Sequence, residues 1–199
     1  MKIGVLKPND SRDLRSTIHP ETIGKLSNIE GLNISFEQGA GAGMSISDDV
    51  FLALGANPHT RLEIIQQSDF IFIQDVLSNE EISSLKGGIT LIGVVSPFAN
   101  KEFIQGCASK KINLVSMEFV PRITRAQKMD VLSSQANLAG YVAVLSASSH
   151  FHSALTMMMT AAGTLKPAKV FIIGVGVAGL QAIATVSYTH LTLPTNREV

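Results

Sequence analysis

Lys169 to Thr185 reads KVFIIGVGVAGLQAIAT: a short apolar run, then Gly174, Gly176 and Gly179, then a segment of helix formers. This is the order of parts that a dinucleotide site requires. Gly174 suits the tight turn after a strand, Gly176 lets the backbone approach a pyrophosphate, and Gly179 lets the following helix pack against the strand. Val177 and Ala178 lie inside the same turn. The helix N-terminus then offers free N–H groups and a partial positive charge to the phosphates. Two other readings compete, a buried glycine-rich turn and a membrane span. A span needs about 20 apolar residues, and this run is shorter and is broken by three glycines and Gln181.

The residues after the motif read differently from those before it. Val186 to Val199 is VSYTHLTLPTNREV. A mononucleotide-binding unit would continue its helix for two or three turns and then supply a second strand. That strand ends in an acidic residue about 20 positions beyond the glycines, which holds the ribose. Here Thr189, Thr192 and Thr195 weaken a helix and Pro194 blocks a central strand. Glu198 stands near the expected distance, but no strand precedes it. The stretch is similar, almost residue for residue, to the translation of a transposon sequencing adapter. The expectation is a sequence that leaves its natural course near Thr185, with residues 186–199 a non-native tail excluded from fold reasoning.

Sixteen basic and sixteen acidic residues cancel, and neither sign forms a long run. That excludes a broad nucleic-acid or anionic-membrane surface. Hydrophobic residues make up 45% of the chain and charged residues 16%, a balance that predicts a folded protein with a substantial core. The single cysteine, Cys107, rules out an internal disulfide and suits a reducing compartment. It reads as a small buried hydrophobe on a helix. The N-terminal apolar run is too short for a signal peptide, so the expected location is the cytosol.

Upstream of the glycine motif, strands and helices alternate. Lys2–Leu6, Asn33–Glu37, Phe70–Ile73, Ile89–Val95 and Asn113–Ser116 read as strands. Helices are predicted over 20–29, 48–54, 60–67, 80–85 and 100–110, with Ser47, Asn79 and Asn100 as N-caps. Near-continuous apolar strands such as FIFI and ITLIGVV, separated by helices, predict an α/β domain with a parallel sheet covered on both faces. It spans residues 1–128. Residues 129–162 read as connector helices: a long one rich in Ala, Ser and Gly over 129–149, and a second over 151–160 in which Met157, Met158 and Met159 fill core space. Gly163–Ala168 is a loop, and 163–185 begins a Rossmann domain that is incomplete.

Pro121 to Ser134, PRITRAQKMDVLSS, concentrates Arg122, Arg125, Gln127, Asp130 and Ser133 at the predicted domain boundary. Mixed donors and acceptors suit an amide-bearing ligand such as nicotinamide. An ordinary solvated helix start with an Arg to Asp ion pair fits these residues equally well. RITRAQKMDVLSSQANLAGY and TAAGTLKPAKVFIIGVGVAGLQAIAT closely resemble the NAD(H)-binding alpha subunits of proton-translocating nicotinamide nucleotide transhydrogenases, relatives of alanine dehydrogenase. The resemblance covers residues 1–185 and is loose before about Val115. It implies that Arg122 and Gln127 hold and orient the nicotinamide ring and carboxamide, and that Asp130 and Ser133 complete the hydrogen-bond set. Gly174, Gly176, Val177, Ala178 and Gly179 fall on the family's pyrophosphate loop.

The resemblance further implies that NAD(H) is held for direct hydride transfer to NADP+ on a partner domain, coupled to proton translocation. Partners would be NADP(H)-binding and membrane subunits, with a homodimer at full length and a location peripheral to the inner membrane. No catalytic side chain and no metal site are expected, and the chain alone is expected to be inactive. Two alternatives stand beside this reading: an alanine dehydrogenase-like oxidoreductase, and a nucleotide-binding regulatory domain without turnover. Alanine dehydrogenases bind a keto acid near an N-terminal arginine, a lysine and a histidine. Arg15 matches the arginine, but Gln74 and Asp75 stand where the lysine would be, and Leu91 to Phe98 has no histidine. Arg15 beside Asp13 also reads as a plain exposed ion pair. His19, His59, His150 and His152 are scattered, and His150 and His152, at i and i+2 of a predicted helix, do not share a face.

Overall fold

Strands FIFI and TLIG do lie side by side, in a six-stranded sheet whose five pairings are all parallel. The computed structural model describes residues 1–187. They fall into two units, Met1–Met129 and a second that begins at Asp130.

The first unit alternates β1 (Lys2–Val5), α1 (Pro20–Leu26), β2 (Asn33–Glu37), α2 (Asp48–Ala53), β3 (Ala56–His59), α3 (Arg61–Gln67), β4 (Phe70–Ile73), α4 (Asn79–Ser84), β5 (Thr90–Gly93), α5 (Lys101–Ser109) and β6 (Asn113–Ser116). Strand order is β3-β2-β1-β4-β5-β6, so the winding reverses at β1. Alternation along β4 divides the core. Ile71 and Ile73 join one cluster with Ile64, Leu91 and Phe103, whereas Phe72 packs against the other, with Val5, Phe36 and Phe51. Burial on both faces is what a parallel sheet between helical layers demands. Each such side chain stabilises by about 1.5–3 kcal/mol. Cys107 belongs to the first cluster, and burial pushes its thiol pKa up.

Two helices start with reciprocal capping boxes. The hydroxyl of Thr60 accepts from Glu63 N while the Glu63 carboxylate accepts from Thr60 N, and Ser78 and Glu81 repeat the exchange. The cap of α4 is therefore Ser78, not Asn79, because only Ser78 has a glutamate at its third position. Ser47 and Asn100 sit at the predicted N-cap positions without a capping bond. Asn100 instead donates to Val95 O at 2.8 Å. β3, ANPH, is missed by the sequence reading because it has no apolar alternation. It lies at the sheet's edge, where Pro58 can face solvent without a ladder bond to donate.

In the second unit Asp130 caps α6 (Val131–His150), and α7 (Val177–Val186) packs on it. A Cβ on Gly140 would overlap Ala178 O. Small residues on α6 thus admit another helix, as expected. Asn137 Nδ2 donates to Gln181 Oε1 at 3.1 Å, and Val144 and Ala182 are buried.

Four expectations fail in this unit. Residues 151–160 form no helix. Phe151 turns extended at the end of α6, and Met158–Thr160 (β7) pairs antiparallel with Gly163–Leu165 (β8), half of the predicted loop. The Thr160 hydroxyl organises the turn, accepting from Ala162 N and donating to Gly163 O. Met157, Met158 and Met159 are exposed on this hairpin rather than in a core. His150 ends α6 and His152 follows it, so they do not share a helix. Finally, Lys169–Ile173 forms no strand, because among the described residues no second strand runs beside it. α7 includes Val186, and the expectation for the rest of 186–199 lies, from residue 188, outside the described residues. Among the described residues no helix is long and apolar enough to cross a membrane.

Candidate functional site

The three glycines of the turn differ in what holds them. Gly174 takes φ +97°, a left-handed conformation that L side chains rarely adopt. Gly179 lies so close to the chain entering the turn that a Cβ would overlap Gly174 O. Gly176 is the N-cap of α7 and has nothing within 4 Å of a would-be Cβ. No side chain caps this helix, so the first-turn amides of Val177, Ala178 and Gly179 have no side-chain acceptor. An uncapped helix start behind a glycine with open space above it fits a phosphate-bearing group, which would fill that space and accept those N–H bonds.

Asp130 and Ser133 are brought together at the start of α6. Asp130 Oδ1 accepts from Ser133 N at 2.9 Å and Oδ2 from Ser133 Oγ at 2.6 Å, both part-buried. The pair is thus first of all a helix cap. Each carboxylate oxygen keeps a second lone pair for a further donor. Arg122 and Gln127 belong to the first unit. Arg122 follows Pro121 in an irregular stretch, Gln127 lies in a 3-10 turn over Thr124–Met129 anchored by buried Ala126, and both side chains are exposed. Among the described residues no group of His, Cys, Asp and Glu is placed to hold a metal ion.

Residues 4–139 match the family model described as "Alanine dehydrogenase/PNT, N-terminal domain", and residues 143–190 match "Alanine dehydrogenase/PNT, C-terminal domain". The chain belongs to the alanine dehydrogenase/PNT family. It is 43% identical over 191 residues to a protein of Rhodospirillum rubrum named as an NAD(P) transhydrogenase subunit alpha, covering 93% of this chain and 50% of that protein. The Rickettsia prowazekii protein of the same name is 43% identical over 190 residues, 93% of this chain and 49% of that protein. The crystal structure of a transhydrogenase from Sinorhizobium meliloti superposes with a TM-score of 0.88 at 42% identity, over 94% of this chain and 55% of that one. An L-alanine dehydrogenase structure superposes with a TM-score of 0.78 at 19% identity, over 94% of this chain and 52% of that one, a likeness of fold alone. The chain spans about half the length of these relatives.

Some polar residues of this family member were not singled out by the sequence reading, yet they gather at the carboxyl ends of the strands. Glu37, buried at the end of β2, accepts from Arg61 Nη1 at 3.0 Å and Lys7 N at 3.1 Å. Arg61 also donates to Lys7 O at 3.0 Å and Glu81 at 2.5 Å. Burial favours the neutral form of Glu81, but bonds from Arg61 and Ser78 outweigh it and hold the carboxyl below its ordinary range. Glu118, just past β6, is likewise held down, against a burial cost, by bonds from Ser116 Oγ and Ser96 N. Single polar letters inside loops carry no periodicity, so only a capping box (Ser78 to Glu81) could have flagged any of them.

Proposed function

We propose that this chain is the NAD(H)-binding portion of a nicotinamide nucleotide transhydrogenase alpha subunit. The observation that carries the reading is the 43% identity, across 93% of the chain, to proteins named as NAD(P) transhydrogenase subunit alpha. Gly174, Gly176, Val177, Ala178 and Gly179 would receive the pyrophosphate, and the uncapped start of α7 supports this. Arg122, Gln127, Asp130 and Ser133 would supply the polar set for the nicotinamide ring and carboxamide. When bound, NADH supplies the hydride, which passes to NADP+ on a partner subunit, with proton translocation by membrane subunits. The protein's own work is positioning: donors that orient a planar amide, and backbone that lets a phosphate approach. No side chain of this chain would act as nucleophile or general base. A homodimer at full length and attachment to a membrane through partner subunits belong to the same proposal.

The test is reduction of an NADP+ analogue by NADH, with an NADP(H)-binding partner subunit present and the chain extended to the length of its relatives. Transfer without any 2-oxo acid is the expected result. NADH oxidation that requires pyruvate and ammonia would replace this reading with a dehydrogenase. Arg122→Ala should slow transfer by about tenfold or more, the loss of one charge-assisted hydrogen bond, and unchanged transfer removes Arg122 from the site.

A further inference from the structure

A cavity of about 300 Å³ opens at the carboxyl ends of β1 and β2, lined among others by Lys7, Asp10, Asp13, Arg15 and Gly39. Strand order reverses at β1, and in open α/β sheets ligands settle outside the carboxyl ends of strands at such a reversal. An arginine there is a ready receptor for carboxylates, because its planar fork matches two oxygens at once. In this chain the fork is already engaged.

Asp10 to Arg15, DSRDLR, holds the pattern Asp-x-Arg twice, and both copies close on themselves. Asp10 Oδ1 accepts from Arg12 N at 2.9 Å, and its carboxylate takes Arg12 Nε at 3.0 Å and Nη2 at 2.8 Å. Asp13 Oδ1 accepts from Arg15 N at 3.1 Å and Nε at 2.8 Å, with Nη2 at 2.5 Å from Oδ2. The first clasp is exposed at the rim. In the second, the Asp13 carboxylate is mostly covered and Arg15 half exposed. The end of β4 fixes the loop from below. Asp75 Oδ2 accepts from Asn9 N at 2.7 Å and adds its charge beside Arg15. Gln74, with its amide set by its neighbours, donates to Arg15 O and accepts from Thr17 N.

We propose that Asp13 is a specificity-determining residue, an internal carboxylate that occupies the Nε and Nη2 edge of Arg15 and closes this cavity to free carboxylate ligands. A partner two residues away competes at an effective concentration of roughly millimolar or more, which a dissolved acid must exceed. The bond from Arg15 holds the Asp13 carboxyl below its ordinary range, so the clasp stays ionised at neutral pH. The proposal concerns acid ligands only and does not rest on the nicotinamide reading.

The test is calorimetric titration of the whole chain with oxalate, without nucleotide. Asp13→Asn keeps an oxygen for Arg15 N–H but gives up the charge, and Asp13→Ser, a residue suited to the same turn, serves if that variant does not fold. Oxalate should bind the variant at least about tenfold more tightly than the native chain. The gain should vanish in Asp13→Asn/Arg15→Gln. Equal affinity of native and variant chains, or a gain that survives loss of Arg15, overturns the proposal.

Discussion

FIFI at 70–73 and VFII at 170–173 are nearly the same word, and the chain treats them differently. The first is β4, paired with β1 on one side and β5 on the other, and its Ile71 has no exposed surface. The second is irregular, with Phe171 88% and Ile173 89% exposed. An apolar run is therefore not a strand by itself. Each residue of a strand needs partners for its N–H and C=O groups and a layer to cover its side chain, and only the first unit supplies both among the described residues. Ile71→Ala should accordingly cost about 2–5 kcal/mol, a lost side chain plus the cavity it leaves. Ile173→Ala should shift stability by less than about 0.5 kcal/mol. Urea unfolding of the two variants measures both. An equal loss at the two sites would mean that residues 170–173 are covered after all.

The glycines carry the contrast into the second unit, which is not uniformly open. Gly140 on α6 lies against Ala178 O, while Gly176 faces empty space. Gly140→Ala must push α7 away, and overpacking of this kind costs about 1–3 kcal/mol. Gly176→Ala should leave the melting temperature within about 2 °C of native, since an exposed substitution rarely exceeds about 0.5 kcal/mol. Its effect should fall instead on nucleotide affinity in the chain extended to the length of its relatives. A Gly176→Ala variant that melts early yet binds NADH normally would reverse the assignment of the two glycines.

Much of this was legible because it repeats. The alternation of FIFI and ITLIGVV announces a parallel sheet, and a proline or a small polar residue before a helix marks where α1 and α2 begin. β3 was not legible, since an edge strand is held by its neighbour's ladder and ANPH carries no apolar period of its own. Residues 151–160 failed for a related reason. SALTMMMT contains helix formers, but Thr160 uses its hydroxyl to close a turn, and the pairing with Gly163–Leu165 decides the conformation. At the candidate site, the glycine roles at 174 and 179 follow from backbone geometry and were readable. That Asp130 and Ser133 serve as a helix cap was not singled out, although an Asp three residues before a Ser at a helix start is a capping pattern. Asp13 and Arg15 were readable as an ion pair, but not the cavity they line, because that cavity needs Gly39 from after β2.

Acid should divide the two units again, by a smaller margin. The ion pairs that join Lys7, Arg12, Arg15, Lys25, His59 and Arg61 to carboxylates all lie within the first unit. Glu81 is the most telling member, because its carboxylate joins Arg61 of α3 to the cap of α4. Burial raises its pKa, and the bonds from Arg61 and Ser78 lower it further than burial raises it. A carboxyl whose folded pKa lies below its unfolded value binds fewer protons when folded. Its contribution is complete above the unfolded value of about 4.3 and is lost as pH falls through the folded one. Stability of the first unit should therefore hold steady from neutrality to about pH 5 and decline below that. Glu81→Gln should lower the neutral plateau and flatten the decline, because the titrating group is gone while Arg61 keeps Glu37. Hydrogen exchange at the Ile71 amide, followed between about pH 3 and 7, reads this directly. Parallel pH profiles for the native and Glu81→Gln chains would show that the acid response arises elsewhere, with Asp13 and Glu118 the next carboxylates to replace.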